Sequence, residues 1–200
     1  KEIIVDTGHR TNDEQATHWN SAGGRAWVEA QELMDHVLKP FEDLLVECVA
    51  AATASGVLDV GCGTGATTLA VARLLGAKSR CVGVDISGPM IEAARTRADR
   101  EGAPATFIQD DAQTHVFEPA SFDMIISRFG LMFFDDNVPA FTKFRRAARS
   151  GGRLSFIPWR AAEENPFMTT AERAAAPLLP NIPARQPDAP GQFAFADRTR

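Results

Sequence analysis

The chain has 200 residues, 44% of them hydrophobic, and a formal net charge of −5. This size is sufficient for one domain with a buried core, and the negative charge gives no reason to expect nucleic-acid binding through a general electrostatic field. With no run of 18 apolar residues, no signal-peptide core and no C-x-x-C spacing among its three cysteines, the sequence predicts a cytoplasmic protein without membrane contact, metal site or disulfide framework.

The first quarter of the chain is predicted to be helical. Residues 25–52 have a helical pattern that we expect to be interrupted at Pro40. Proline can begin a helix but lacks the N–H that an interior position requires. Residues 1–54 therefore form a predicted N-terminal helical cap.

The most informative segment is V-L-D-V-G-C-G-T-G, from Val57 to Gly65. An apolar run that leads into glycines is typical of a buried parallel strand followed by a tight turn, where glycine lets the backbone approach a ligand closely. Residues 66–75 then have a helical pattern, so the turn lies at a helix N-terminus with N–H groups free to bind an anion. Asp59 lies inside the strand, where an acid needs hydrogen-bond partners and therefore a specific role. These features predict a site for a nucleotide-type cofactor.

Two further predicted strands end in acids. Residues 80–85 end at Asp85, 20 residues after Gly65, where a carboxylate would lie over a ribose. Residues 105–110 form a third strand, which Asp111 follows. Three successive strands therefore each end near a carboxylate.

The rest of the pattern alternates helices and strands, which predicts an α/β, Rossmann-like, doubly wound and mostly parallel sheet. We expect helices at 88–100 and 137–149, the second ended by the glycines at 151 and 152, and strands at 122–127 and 154–158.

Ligands bind at the carboxyl edge of such a sheet, so a second reactant should meet the cofactor at the loops 112–121, 128–136 and 158–168. Residues 55–160 form the predicted cofactor-binding core. Residues 161–200, rich in proline from Pro177 onward, are predicted to be a partial lid or a truncated C-terminal part.

With these residues in place, the sequence resembles the class I S-adenosylmethionine-dependent methyltransferases over roughly residues 12–160, and within them the small-molecule branch related to ubiquinone and menaquinone biosynthesis methyltransferases. The segment N-D-E-Q-A-T-H-W-N-S-A-G-G-R-A-W, from Asn12 to Trp27, is similar to the N-terminal signature of this branch, with His18 where tyrosine is more usual. The family fold has seven strands, so the five found here imply that the last two are missing from this chain.

The resemblance implies a set of cofactor contacts. Asp59 would orient the glycine turn and the amino group of S-adenosylmethionine, Asp85 would bind the ribose hydroxyls, and Ile86 would pack on the adenine. Asp111 would accept from the adenine amino group. The full implied set is Asp59, Gly61, Cys62, Gly63, Asp85, Ile86, Asp111, Ala112 and Ser127.

The resemblance also implies direct displacement of the methyl group by a small-molecule acceptor, without a metal. The apolar residues near the carboxyl edge favour a small, partly aromatic or hydrophobic acceptor, although they are equally compatible with core packing. His115 is the candidate general base, with His18 second. The acceptor-pocket candidates are Trp19, Arg128, Phe129, Met132 and Trp159. A homodimer is compatible with the sequence.

Two alternatives stay open. Gly61, Gly63 and Ala66 also satisfy the G-x-G-x-x-G/A pattern of an NAD-dependent oxidoreductase. That reading is weakened by Gly65, by Asp59 and by the absence of tyrosine, which removes any Ser/Tyr/Lys catalytic set. The second alternative is a noncatalytic module that binds S-adenosylmethionine and methylates nothing.

Overall fold

The computed structural model describes residues 10–178 and 189–197, with side chains from residue 13 onward. Five parallel strands form one sheet in the order β3-β2-β1-β4-β5. The strands are β1 (Gly56–Val60), β2 (Arg80–Asp85), β3 (Ala105–Gln109), β4 (Phe122–Arg128) and β5 (Ala148–Ile157). The predicted α/β, mostly parallel fold is confirmed.

Seven α-helices occupy the described part of the chain. They are α1 (Arg10–Trp19), α2 (Ala22–Glu29), α3 (Gln31–Ala52), α4 (Ala66–Leu75), α5 (Gly88–Glu101), α6 (Asn137–Ala147) and α7 (Pro166–Ala175). Short 3-10 turns span Leu131–Phe133 and Ala162–Glu164. Among these residues, no helix has both the length and the apolar character that a membrane crossing requires.

The sheet is covered on both faces because its central strand is apolar on both sides. All of β1 is buried. Val57 belongs to a buried cluster with Leu45 of α3 and Val71 of α4, whereas Leu58 belongs to another with Phe144 of α6. Successive side chains of a strand point to opposite faces, which gives each face its own core. The strand order reverses between β1 and β4, and ligands bind in the crevice at such a point.

The expected interruption at Pro40 is wrong, because α3 continues through this residue from Gln31 to Ala52. Leu38, Leu45 and Val49 are buried along this helix on both sides of the proline. Burial of that continuous stripe against the sheet outweighs the loss of one backbone hydrogen bond.

The predicted boundary between the last helix and the last strand is also wrong. Helix α6 ends at Ala147, and β5 begins at Ala148, so Gly151 and Gly152 lie inside the strand and do not end the helix. The pairing of β4 with β5 shifts register between Phe122 and Met124, and Gly151 has a φ of +78°. A bulge that uses a left-handed glycine explains why the sequence pattern placed this strand later.

Candidate functional site

A cavity of about 640 Å³ lies at the carboxyl ends of the strands. This volume is within the range of small-molecule and cofactor sites. The ends of β1, β2 and β4 form its floor, helices α1, α2 and α3 contribute to its walls, and Phe167 of α7 and Gln192 reach it from the C-terminal side. Segments that are distant in sequence therefore meet around one space.

The glycine turn between β1 and α4 is fixed from two sides. The N–H groups of Gly61 and Cys62 donate to the carbonyl of Val84 at 2.8 and 3.1 Å. Gly61 has a φ of +68°, and a Cβ at this position would lie 2.5 Å from Cα of Gly130. The turn is thus held between the end of β2 and the loop after β4, where only glycine fits.

Asp85 connects the end of β2 to the same turn. Its Oδ2 accepts from the Gly63 N–H at 2.8 Å, and its Oδ1 accepts from the Ser87 N–H at 2.9 Å. Burial raises the pKa of this carboxyl, and these two N–H groups oppose the rise. Asp85 therefore orients the glycine turn as well as lining the cavity.

Asp59, in the strand β1 at the cavity floor, has an unsatisfied carboxylate oxygen. The residue is 1% exposed, and its Oδ2 accepts from Thr68 Oγ1 at 2.7 Å. Its Oδ1 is buried and has no hydrogen-bond partner among the described residues. Burial raises the pKa of Asp59 to about 6. A buried acceptor of this kind calls for a donor from a ligand.

The loop after β3 places two more acids at the cavity. Asp110 and Asp111 both line it. Asp111 Oδ1 accepts from the Gln113 N–H at 2.9 Å, and Asp110 Oδ2 lies 2.7 Å from Nδ1 of His115. Lys143 of α6 donates to the carbonyl of Gln113 at 2.7 Å, which fixes the loop from outside.

Arg128, at the end of β4, is the cation of the cavity floor. Its Nη1 lies 3.9 Å from Oε2 of Glu42 and 3.5 Å from the carbonyl oxygen of Leu38. Burial lowers the pKa of the Arg128 guanidinium, whereas the charges of Asp59 and Glu42 raise it. Arg128 therefore interacts electrostatically with buried charges of opposite sign.

Aromatic rings form the opposite wall. Phe129 and Trp159 stack with centroids 4.2 Å apart and planes 4° from parallel, and the ring of Phe41 meets both edge-on at 5.1 and 5.6 Å. Phe129 adopts a φ of +64°, a strained value for a residue with a side chain. On the N-terminal side, Trp19 lies 5.3 Å from Phe133. The wall offers flat apolar surfaces.

The cavity brings together most of the residues singled out in the sequence. It is lined by Asp59, Gly61, Cys62, Gly63, Asp85, Ile86, Asp111 and Ala112, and by the acceptor candidates Trp19, Arg128, Phe129, Met132 and Trp159. Ser127 and His115 are not in the lining. Ser127 instead donates to the carbonyl of Val60 at 2.7 Å and accepts from the Gly130 N–H at 3.2 Å, so it joins β1 to the loop after β4.

Sequence reasoning missed the contribution of α3. Met34, Val37, Leu38 and Phe41 of this helix line the cavity, as do Gly130 and Gln192. The spacing of Met34, Leu38 and Phe41 is that of one helical face and could have indicated an inward stripe. No signal in the sequence marks Gln192.

Residues 57–152 match the family model described as a methyltransferase domain. The chain is 32% identical over 143 residues to the aklanonic acid methyltransferase DauC of a Streptomyces species, which covers 70% of this chain and 64% of that protein. It is 29% identical over 126 residues to the ubiquinone/menaquinone biosynthesis C-methyltransferase of a Marinomonas species, covering 62% of this chain and 50% of that protein. The chain thus spans between about half and two thirds of these curated relatives.

Among solved structures, the fold matches that of a SAM dependent methyltransferase from Aquifex aeolicus with a TM-score of 0.51. The two proteins are 17% identical, and the match covers 58% of this chain and 70% of that one. This likeness concerns the fold alone.

Proposed function

We propose that the protein is a class I, S-adenosylmethionine-dependent methyltransferase that transfers a methyl group to a small-molecule acceptor, as the methyltransferase-domain match over residues 57–152 and the similarity to named methyltransferases support. One observation carries the proposal. The glycine turn and the acids at or near the ends of the first three strands, Asp59, Asp85 and Asp111, line one cavity at the topological switch point of the sheet.

The residues of the cavity fit this cofactor. The buried Oδ1 of Asp59, which has no partner among the described residues, suits an ammonium group. A Cβ at Gly63 would make only ordinary contacts, with Met90 Sδ at 3.6 Å and Trp27 Nε1 at 3.9 Å, so this part of the turn is not tightly packed. The unpartnered oxygen of Asp59 is not explained by packing within the protein.

We assign the remaining cofactor contacts by the same reasoning. Each Asp85 oxygen accepts one backbone N–H and retains a lone pair for a ribose hydroxyl. Ile86 would pack on the adenine, and Asp111 and Ala112 would bind its polar edge. Ser127 would act from behind the cavity wall, because both of its hydrogen bonds hold the loop that carries Phe129 and Gly130.

When bound, the cofactor supplies an electrophilic methyl group on a sulfonium. The chain's residues would bind it, orient the acceptor in line with it and exclude water. Holding two reactants in line can contribute about 7–11 kcal/mol to lowering a barrier. The aromatic wall and the rings of Trp19 and Phe133 would keep water from the reaction.

The stacked pair of Phe129 and Trp159, with Phe41 against their edges, supports a flat, partly aromatic acceptor. The relatives named for aklanonic acid and for ubiquinone and menaquinone biosynthesis agree with this choice. We propose an aromatic or quinone-like compound that bears the nucleophile.

His115 as a general base stays a prediction, and its position outside the cavity lining argues for a minor effect. A positioned general base contributes about 10²–10⁴-fold. We expect His115→Ala to reduce turnover less than about fivefold, below that range, and to leave cofactor affinity unchanged, because the ring packs on Phe117 and pairs with Asp110. A hundredfold loss of turnover with unchanged affinity would establish His115 as the base.

The division into a cap (residues 1–54), a core (55–160) and a lid (161–200) is likewise a proposal. The cavity supports this division, because it is reached by Trp19 and Trp27 of the cap and by Phe167, Met168 and Gln192 after the core.

Cytoplasmic location and a homodimer are also proposed. Cell fractionation and sedimentation of the purified protein test them.

The function is tested by calorimetric titration with S-adenosylmethionine, S-adenosylhomocysteine and NAD. We expect saturable binding of the two adenosyl sulfur compounds and none of NAD. Binding of NAD alone would favour the oxidoreductase. If the adenosyl compounds bind, transfer of a labelled methyl group to a panel of hydroxylated naphthoquinones and anthraquinones separates an enzyme from a noncatalytic module.

A further inference from the structure

The cavity floor holds a guanidinium whose hydrogen-bonding capacity is largely unused. The Arg128 side chain is 11% exposed, and both of its polar contacts are made by Nη1. Within the part of the chain that the structure describes, Nη2 and Nε make no hydrogen bond or ion pair. A guanidinium has five N–H donors in a planar fork, so most of them remain for a ligand.

The charges of Asp59, Glu42 and Asp35 all act on Arg128, but only Glu42 lies within ion-pair distance of it, and this contact does not complete the site. Glu42 of α3 is buried, with its side chain 7% exposed, and its Oε2 is 3.9 Å from Arg128 Nη1. A single contact at this distance is not the two-bond geometry in which arginine binds a carboxylate most strongly. Glu42 therefore holds the guanidinium in place and leaves the fork open toward the cavity.

The same cavity contains the complementary unsatisfied group. Oδ1 of Asp59 lacks a donor among the described residues, and Asp59 and Arg128 both line the floor. A ligand that satisfies both must bring a cation and an anion close together. An α-amino acid, with its ammonium and carboxylate on one carbon, has this arrangement.

We infer that Arg128 binds the carboxylate of the cofactor's amino-acid end while Asp59 binds its ammonium, with Glu42 as a positioning residue for Arg128. The inference rests on the proposed function and reassigns Arg128, which the sequence placed with the acceptor-pocket candidates. An acidic group of the acceptor is the other possible source of the carboxylate. The cofactor is favoured because the complementary Asp59 lies on the same floor.

The test uses ligands that differ by one group. S-Adenosylmethionine has both the carboxylate and the ammonium, decarboxylated S-adenosylmethionine keeps the ammonium only, and methylthioadenosine has neither. We expect Arg128→Gln to weaken binding of S-adenosylmethionine about 10- to 100-fold, the effect of a lost charge-assisted hydrogen bond. Binding of the other two ligands, measured by calorimetry without acceptor, should change less than about threefold, because neither has the carboxylate.

Two control variants keep the result interpretable. Arg128→Gln removes one of the two cations beside buried Glu42 and leaves only Lys39, whose Nζ lies 3.4 Å from Oε1, so it can destabilise the fold. The double variant Arg128→Gln/Glu42→Gln replaces both charges with neutral side chains of similar size and should show the same ligand discrimination. Arg153→Gln, on the exposed part of β5, removes one positive charge away from the cavity and should affect none of the three ligands.

The outcomes separate this inference from the proposed function. If the parent protein binds none of the three ligands, the proposed function is wrong and the role of Arg128 is wrong with it. If the parent binds S-adenosylmethionine and the Arg128 variants bind it equally well, or lose all three ligands by the same factor, only the carboxylate assignment is overturned. A loss confined to an acidic acceptor would assign Arg128 to that substrate instead.

Discussion

We expect the carboxyl of Asp59 to determine the pH range in which the cavity can bind a cation. Burial raises its pKa from 3.8 to about 6, so the folded protein binds this proton more readily than the unfolded chain does. The stabilisation that comes from protonation of Asp59 is therefore fully present in the free energy of unfolding below about pH 4, and it is lost as the pH rises through about 6. A ligand ammonium needs the ionised carboxylate and thus has the opposite preference.

We predict that affinity for S-adenosylhomocysteine falls about tenfold for each pH unit below 6 and is nearly constant above 7, since binding competes with protonation of Asp59. Calorimetric titration between pH 5 and 8 measures this dependence. Asp59→Asn should bind more weakly at pH 8 and lose most of the pH dependence. A parent protein with equal affinity at pH 5 and pH 8 would show that Asp59 does not bind the ammonium.

Asp85 should affect both the fold and the ligand. Asp85→Ala leaves the N–H groups of Gly63 and Ser87 without their acceptors, and each hydrogen bond to a charged group contributes about 1.5–3 kcal/mol. We expect the free energy of unfolding to decrease by about 3 kcal/mol and the affinities for S-adenosylmethionine and S-adenosylhomocysteine to decrease together. Denaturant melts and calorimetry measure the two effects.

The matched control is Asp99→Ala, which removes an exposed carboxylate from α5. It should leave both ligand affinities unchanged. Tight binding by Asp85→Ala would contradict the proposed ribose site.

At the level of elements, the turn between β1 and α4 depends on its contact with the loop after β4. Gly61 and Gly102 have similar φ values, +68° and +61°, but a Cβ at Gly61 would lie 2.5 Å from Gly130 Cα, whereas nothing lies within 4 Å of one at Gly102. Comparing alanine substitutions at Gly61 and Gly102 therefore distinguishes the cost of backbone strain from the cost of steric exclusion.

We expect Gly102→Ala to reduce the free energy of unfolding by about 1 kcal/mol, from backbone strain alone. Gly61→Ala should reduce it by about 3 kcal/mol or more and abolish ligand binding, because the two loops must separate. Urea unfolding with a parallel titration measures both. Equal effects of the two substitutions would show that the contact with Gly130 is not required.

The elements that the sequence predicted well are those whose signals are local. Helix α4 and strand β2 have the bounds predicted for them, since glycines, apolar runs and terminal acids mark both ends. Pro40 and Gly130 have roles that depend on tertiary contacts: burial of α3 against the sheet, and the approach of one loop to another. His115 was assigned to the site because of its neighbours in sequence. Its ring pairs with Asp110, which lines the cavity, but His115 itself does not line it.

Across the whole molecule, the cavity is completed by segments that the sheet does not carry. The Ser87 hydroxyl donates to the Trp19 carbonyl at 2.6 Å, and the Asn20 side chain accepts from the Gly88 N–H at 2.8 Å, so the N-terminal helices are attached to the end of β2. On the other side, the Gly191 N–H donates to the carbonyl of Met132 at 2.8 Å. Trp19 and Met132, which take part in these two attachments, line the cavity together with the glycine turn, so we expect a ligand there to contact all three segments.

A ligand that binds this folded arrangement should therefore stabilise three separate segments at once. At a free ligand concentration 100 times the Kd, binding adds about 2.7 kcal/mol to the free energy of unfolding. Hydrogen exchange with and without S-adenosylhomocysteine should show slower exchange in α1–α2, in residues 61–65 and in residues 191–193, because local opening of each exposes the ligand. Residues 149–153, at the opposite end of the sheet, serve as the internal reference and should change least. Protection confined to residues 61–65 would show that the cap and the C-terminal segment close the cavity without contacting the ligand.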